Sequence, residues 1–156
     1  MKKFLATCLV CLIGLHCFPQ KMSKLYATYN KQDYAKCIQQ CDAALKKKPE
    51  MLEAYYVKAI AYFEMAQSPS NYKEISKNPL LDCLSNLSIL SSKDEDREIL
   101  DEHNDTLLII KQFAEARAQK IKTANTSEAQ AINQRLSSIF RTKKADGLEY
   151  ARLDAE

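Results

Sequence analysis

Beyond about residue 20, apolar side chains recur at three- and four-residue steps, the spacing of helices that each bury one face. Met22, Leu25, Tyr26 and Tyr29 form the first such stripe and predict a helix over about 21–31. Asp33 follows where a side-chain oxygen can accept from the free N–H groups of a new helix. Tyr34, Cys37, Ile38, Cys41, Ala44 and Leu45 give that second helix its buried stripe, and Pro49 ends it because proline cannot continue a hydrogen-bonded helix. A third helix is predicted from near Met51. Ser, Pro and Asn between Ala66 and Lys77 mark a loop, with a short helical turn expected at 72–75. Asn78-Pro79 reads as a cap followed by proline at the first helical position, opening a helix striped by Cys83, Leu84, Leu87 and Leu90. The acidic run Asp94-Glu95-Asp96 suits a helix start, where the backbone dipole is positive. A long pattern follows through Ile99, His103, Leu107, Ile110, Phe113, Ala114, Ala118 and Ile121, with a break expected at Asn104-Asp105. Ser127 and Gln130 fit a capping box for a last helix carrying Ile132, Leu136, Ile139 and Phe140.

Composition supports an all-α reading. Val57 and Gly147 are the sole valine and glycine beyond residue 19, which leaves little material for strands, hairpin turns or phosphate-binding loops. The 156 residues suggest one domain, and 46% hydrophobic with 28% charged residues is the balance of a folded protein, not a disordered one. The domain is expected over residues 20–142, with 143–156 a short C-terminal tail or helix that frays or continues into a longer protein.

The N-terminus changes the picture of location. Lys2 and Lys3 precede a short apolar run from Phe4 to Leu15, the pattern of a secretory signal peptide and too short for a comfortable span of about 20 residues. Residues 1–19 are therefore expected to be a signal peptide, cleaved between Cys17 and Gln20, and the protein to be exported to a periplasm, cell envelope or exterior. Leu5-Ala6-Thr7-Cys8 and Gly14-Leu15-His16-Cys17 only partly resemble the lipid-attachment pattern of bacterial lipoproteins. A membrane is expected to be met only through an uncleaved signal or such an anchor. Loss of Lys2 and Lys3 lowers the formal charge from +3 to +1, which is no nucleic-acid footprint. Lys46-Lys47-Lys48 sits at a helix C-terminus, where cations complement the dipole.

Three cysteines follow the expected leader: Cys37, Cys41 and Cys83. Cys37 and Cys41 lie one helical turn apart, but no nearby histidine completes a zinc site, so they are expected to be small buried residues in a helix seam. His103 is the only histidine beyond the leader. Asp101, Glu102 and Asp105 surround it in sequence, yet its place in the stripe favours a structural role. No phosphate loop, dinucleotide fingerprint, zinc motif or nucleophile turn is present, so no catalytic residue, cofactor, metal or small-molecule substrate is expected.

The stretch from Asp33 to Phe63 resembles the tetratricopeptide repeat (TPR). Met22, Leu25 and Tyr29 fill its first-helix places, with Tyr26 where a small residue is usual. Cys37, Cys41, Ala44 and Pro49 fill the second-helix places. Tyr55, Ala59 and Tyr62 repeat the first-helix places in the next hairpin. The family's glycine before the Asp-Tyr pair is absent, since Lys31-Gln32 leads straight into Asp33-Tyr34, and the resemblance covers roughly residues 22–90. It implies antiparallel helix hairpins stacked as a short right-handed α-solenoid. The first helices would line a concave groove, placing Ser23, Ala27 and Asn30, then Tyr56, Ile60 and Phe63, toward it. Asn30, Tyr56, Ile60 and Phe63 are the expected partner-binding residues. The competing assignment buries Tyr56 and Phe63 against the third hairpin. The function implied is a non-catalytic scaffold of the bacterial cell envelope that takes a protein or peptide partner, a second copy of itself included. A self-associating assembly subunit, a small-ligand carrier and an accessory domain of a larger exported enzyme are the alternatives.

Overall fold

A computed structural model describes residues 17–140, with side chains from Lys24 onward. The expected leader through residue 16 and the tail from 141 lie outside the described residues. Within them the chain is all-helical: α1 (Cys17–Asn30), α2 (Tyr34–Lys47), α3 (Leu52–Gln67), a 3-10 turn (Pro69–Tyr72), α4 (Pro79–Lys93), α5 (Glu98–Glu102), α6 (Asn104–Ile121) and α7 (Thr126–Ile139).

Helix α1 begins four residues before the start expected from its stripe. Pro19 falls in its first turn, where a missing N–H costs no intrahelical bond. The turn to α2 resolves the missing glycine. Gln32 takes φ 59°, the left-handed conformation that glycine adopts freely and other residues adopt at a cost. Its N–H bonds the Tyr29 carbonyl at 2.8 Å. Asp33 then caps α2 by accepting from the Lys36 N–H.

Helix α3 is apolar around most of its circumference, and such a helix is stable only when surrounded. Ala54, Tyr56, Val57, Ala59, Ile60, Ala61, Phe63 and Met65 are all buried. It packs against α1, α2, α4 and α5, most extensively against α4. The loop after α3 forms its helical turn at 69–72, three residues earlier than expected, because Pro69 presets the φ of the first position. Asn78 caps α4 through the Leu81 N–H, and Ser76 bridges Asp82 and the Asn78 N–H.

The third hairpin departs from the predicted boundaries. Asp94 ends α4 instead of opening the next helix. Its buried carboxylate accepts the Leu100 N–H at 3.0 Å, and Arg97 turns the chain with φ 60°. The break falls at His103, one residue before the expected site. The cap of α7 is Asn125, not Ser127. Asn125 accepts the Glu128 N–H and donates its amide to the Glu128 carboxylate, a reciprocal pairing that Ser127 and Gln130 do not make. Helix α7 packs on both α6 and α4. Its seam with α4 is polar: Ser88 and Ser138 hydroxyls meet at 2.7 Å, and Arg135 Nε donates to Ser85. The second helix of this hairpin, not the first, thus makes the main contact with α4.

Two substitutions test this account by chemical denaturation. Leu87, fully buried in α4, is expected to cost about 2–5 kcal/mol when cut to alanine, from lost burial and the cavity left. Gln32→Gly is expected to stabilise by up to about 1 kcal/mol, strain relief outweighing the added freedom of the unfolded chain. A destabilised glycine variant would show that the turn is not strained.

Candidate functional site

Helices α1, α3 and α6, the first members of the three hairpins, share one cleft of about 570 Å³. Tyr29 enters it from α1. Tyr56, Ile60, Phe63, Glu64 and Gln67 come from α3, and Thr106, Ile109 and Phe113 from α6. The α3 residues follow helical spacing along one face. On α6 the spacing 106, 109, 113 is a second apolar edge beside the core stripe of Leu107, Ile110, Ala114 and Ala118.

The floor and rim differ in burial. Tyr56, Ile60 and Phe63 are 3%, 6% and 7% exposed, while Ile109 is 57% exposed. Two ring contacts join α3 to the third hairpin. Phe63 meets Phe113 edge to face at 5.4 Å. Tyr56 lies flat on His103, centroids 3.7 Å apart and planes 2° apart. Both expectations for Tyr56 and Phe63 therefore meet in one place: they pack against the third hairpin and they floor the cleft. Of the other residues expected to face a groove, Asn30 is exposed at the C-terminal end of α1 and is not among those lining the cleft. Ala27 is likewise exposed outside it, and Tyr29 is the α1 residue that reaches in.

Carboxylates and phenols tie the hairpins together along this face. The Tyr26 hydroxyl donates to Glu53 of α3, which explains a large residue where the repeat pattern has a small one. Glu53 Oε1 also lies 3.2 Å from His103 Nε2. His103 thus pairs with a carboxylate 50 residues earlier, a partner no local spacing could reveal. Farther along, the Tyr29 hydroxyl donates to Glu64 at 3.1 Å, and the Gln67 amide donates to the same carboxylate. Burial, then Glu53, pushes the Tyr26 phenol well above its ordinary range. Burial, then Glu64, does the same for Tyr29. Tyr56 is raised by burial and by Glu53 and Glu102, against an opposing hydrogen bond with Thr106.

Cys37, Cys41 and Cys83 are free thiols buried in the helix seams. A hydrogen bond to Cys37, then burial, holds the Cys41 thiol high, and burial, then the nearby Asp82 carboxylate, does so for Cys83. Among the described residues no group of three or more His, Cys, Asp or Glu is placed to hold a metal, and no helix is long and apolar enough to cross a membrane. A second depression, about 330 Å³ between α6 and α7, is lined mainly by solvated polar side chains such as Glu115, Gln119, Lys122 and Asn133.

Comparison with family models, with curated proteins and with solved structures finds no match.

Neutral phenols held in the fold make a pH prediction. A raised folded pKa stabilises fully below the unfolded value and loses that contribution as pH climbs toward the folded value. For the tyrosines the unfolded value is near 10.0, and for the thiols near 9.0. The thermal midpoint is therefore expected to hold up to about pH 9 and to fall above about pH 10. The fall should be shallower in Tyr26→Phe. Equal slopes in circular-dichroism melts of the two proteins would remove Tyr26 from the account.

Proposed function

We propose that this chain is a non-catalytic, TPR-like interaction scaffold of the bacterial cell envelope that binds a protein segment in the cleft shared by α1, α3 and α6. The observation that carries the reading is the cleft itself: it is lined by the first helices of three successive hairpins, with its floor of Tyr56, Ile60 and Phe63 from α3 and Ile109 exposed on its rim. A concave, mostly apolar surface of this kind suits an extended peptide or the apolar face of a helix. Tyrosine and phenylalanine supply large contact area with few rotatable bonds to immobilise, which favours them at binding hot spots.

The solenoid description is part of this proposal. The hairpin order, the Asp33 cap and the left-handed Gln32 support it over residues 22–90. The third hairpin, attached mainly through α7, is its terminal variation. Export rests on the N-terminal pattern of Lys2-Lys3 and the apolar run after it.

A second reading, self-association through the same cleft, is favoured by Ile109 because a solvent-facing isoleucine on an aromatic groove is a natural self-complementary contact. One experiment separates the two. A photoreactive residue replacing Ile109 is introduced into the full chain in its producing cell, and adducts are mapped by mass spectrometry. A dominant foreign protein is expected. Adducts to a second copy would favour assembly, and the absence of any intermolecular adduct would remove the cleft as a docking site.

A further inference from the structure

The charge lining the cleft restricts what can occupy it. The chain as a whole is basic, at +3, yet none of the residues lining the cleft is a lysine or arginine. Glu64 is the only ionisable carboxylate among them. It accepts from Tyr29 and Gln67, both uncharged, and none of the salt bridges among the described residues reaches it. A half-buried carboxylate held by two neutral donors has acceptor capacity left for a further donor. The tyrosines report the same field. Glu64 raises Tyr29 and Tyr34, after burial, and Glu53 with Glu102 acts on Tyr26 and Tyr56 in the same direction. Tyr29, Phe63 and Phe113 line the same cleft as this carboxylate, and aromatic rings attract cations.

Resting on the groove reading, we infer that the occupant is a segment of a separate protein that presents a lysine or arginine next to a bulky apolar side chain, the cation pairing with Glu64 and the apolar group covering Ile109 and Ile60. An acidic segment is rejected by the same carboxylate, because like charges brought together in a desolvated cleft repel strongly. The cleft thus selects by charge as well as by shape.

Selection of a displayed random-peptide library on the full chain tests this. Enriched peptides are expected to carry Lys or Arg beside a large apolar residue and to weaken with added salt. Their affinity is expected to fall about tenfold in Glu64→Gln, which removes a charge-assisted hydrogen bond while keeping an acceptor for Tyr29. Glu64→Lys should reverse the preference toward Asp and Glu. Peptides that need Ile109, shown by loss in Ile109→Ser, but have no basic bias and no salt dependence would overturn the charge assignment and leave the groove standing. Enrichment indifferent to Ile109→Ser, or none, would overturn the groove and this inference together. The salt dependence of the unaltered protein decides the matter even if a Glu64 variant folds poorly. Cross-links from position 109 into residues 1–16 or 141–156 of the same chain would place the cation in the chain itself and overturn the separate partner.

Discussion

Everything in this fold depends on surrounding α3. Eight of its residues are buried, and no orientation of such a helix leaves it soluble on its own. Helices α1 and α2 cover one part of it and α4 covers another. Ala54, Ala59 and Ala61, fully buried, let these neighbours come close without a large side chain in the way. The third hairpin then closes over the remaining edge only in part, touching it through His103 and Phe113. The cleft floor is the uncovered remainder of a core helix. Tyr56, Ile60 and Phe63 therefore belong to the core and to the cleft floor at once, while Ile109, Glu64 and Gln67 stand at the rim.

Polar contacts set how the hairpins register, while apolar burial sets that they associate. A hydrophobic contact tolerates small slides between helices, but a phenol donating to one carboxylate does not. Tyr26 on Glu53 and Tyr29 on Glu64 fix α1 against α3 at two separated points. His103 on Glu53 fixes the start of α6 to the same residue as Tyr26, so one carboxylate joins all three hairpins. The serine seam and Arg135 do the corresponding work between α4 and α7. Because such groups are costly to bury unpaired, the seam resists sliding more than it adds net stability.

Helix positions were legible where a single face had to be buried. The Cys37–Cys41 and Leu84–Leu87 stripes stand as their spacing predicts, and the Asp33 and Asn78 caps accept the N–H groups that their positions suggest. Boundaries failed where several residues competed for one local job. Asp94, Asp96 and Glu98 can each start a helix; the fold buries Asp94 at the end of α4, with its carboxylate on the Leu100 N–H, and Glu98 opens α5. Asn125 and Ser127 can each cap α7, and the reciprocal Glu128 contact decided it. For the cleft, Tyr56, Ile60 and Phe63 came from mapping the TPR resemblance onto the chain, and all three are among the residues that line it. Thr106, Ile109 and Phe113 carried an equally regular spacing, but the stronger core stripe on α6 obscured it. On α1 the rotation was off by about one position, which on a helix is about 100°, enough to exchange Asn30 for Tyr29. The Glu53–His103 pair lay beyond any local pattern.

The cleft is a consequence of how the third hairpin attaches. Were α6 packed into the groove between α3 and α4, as α3 packs beside α2, its apolar edge would be consumed by helix contact. Instead α7 takes the place beside α4, and α6 reaches α3 through two aromatic contacts near either end of the shared face. Rings at those points hold the helices apart and prevent collapse between them, because interior side chains are close-packed and do not compress. Thr106 and Ile109 lie between His103 and Phe113 in sequence, opposite Ile60 between Tyr56 and Phe63, so the open space falls where small or aliphatic side chains face each other. Replacing the ring pairs by leucines would keep the apolar character and let the helices approach, narrowing the cleft without altering a single rim residue.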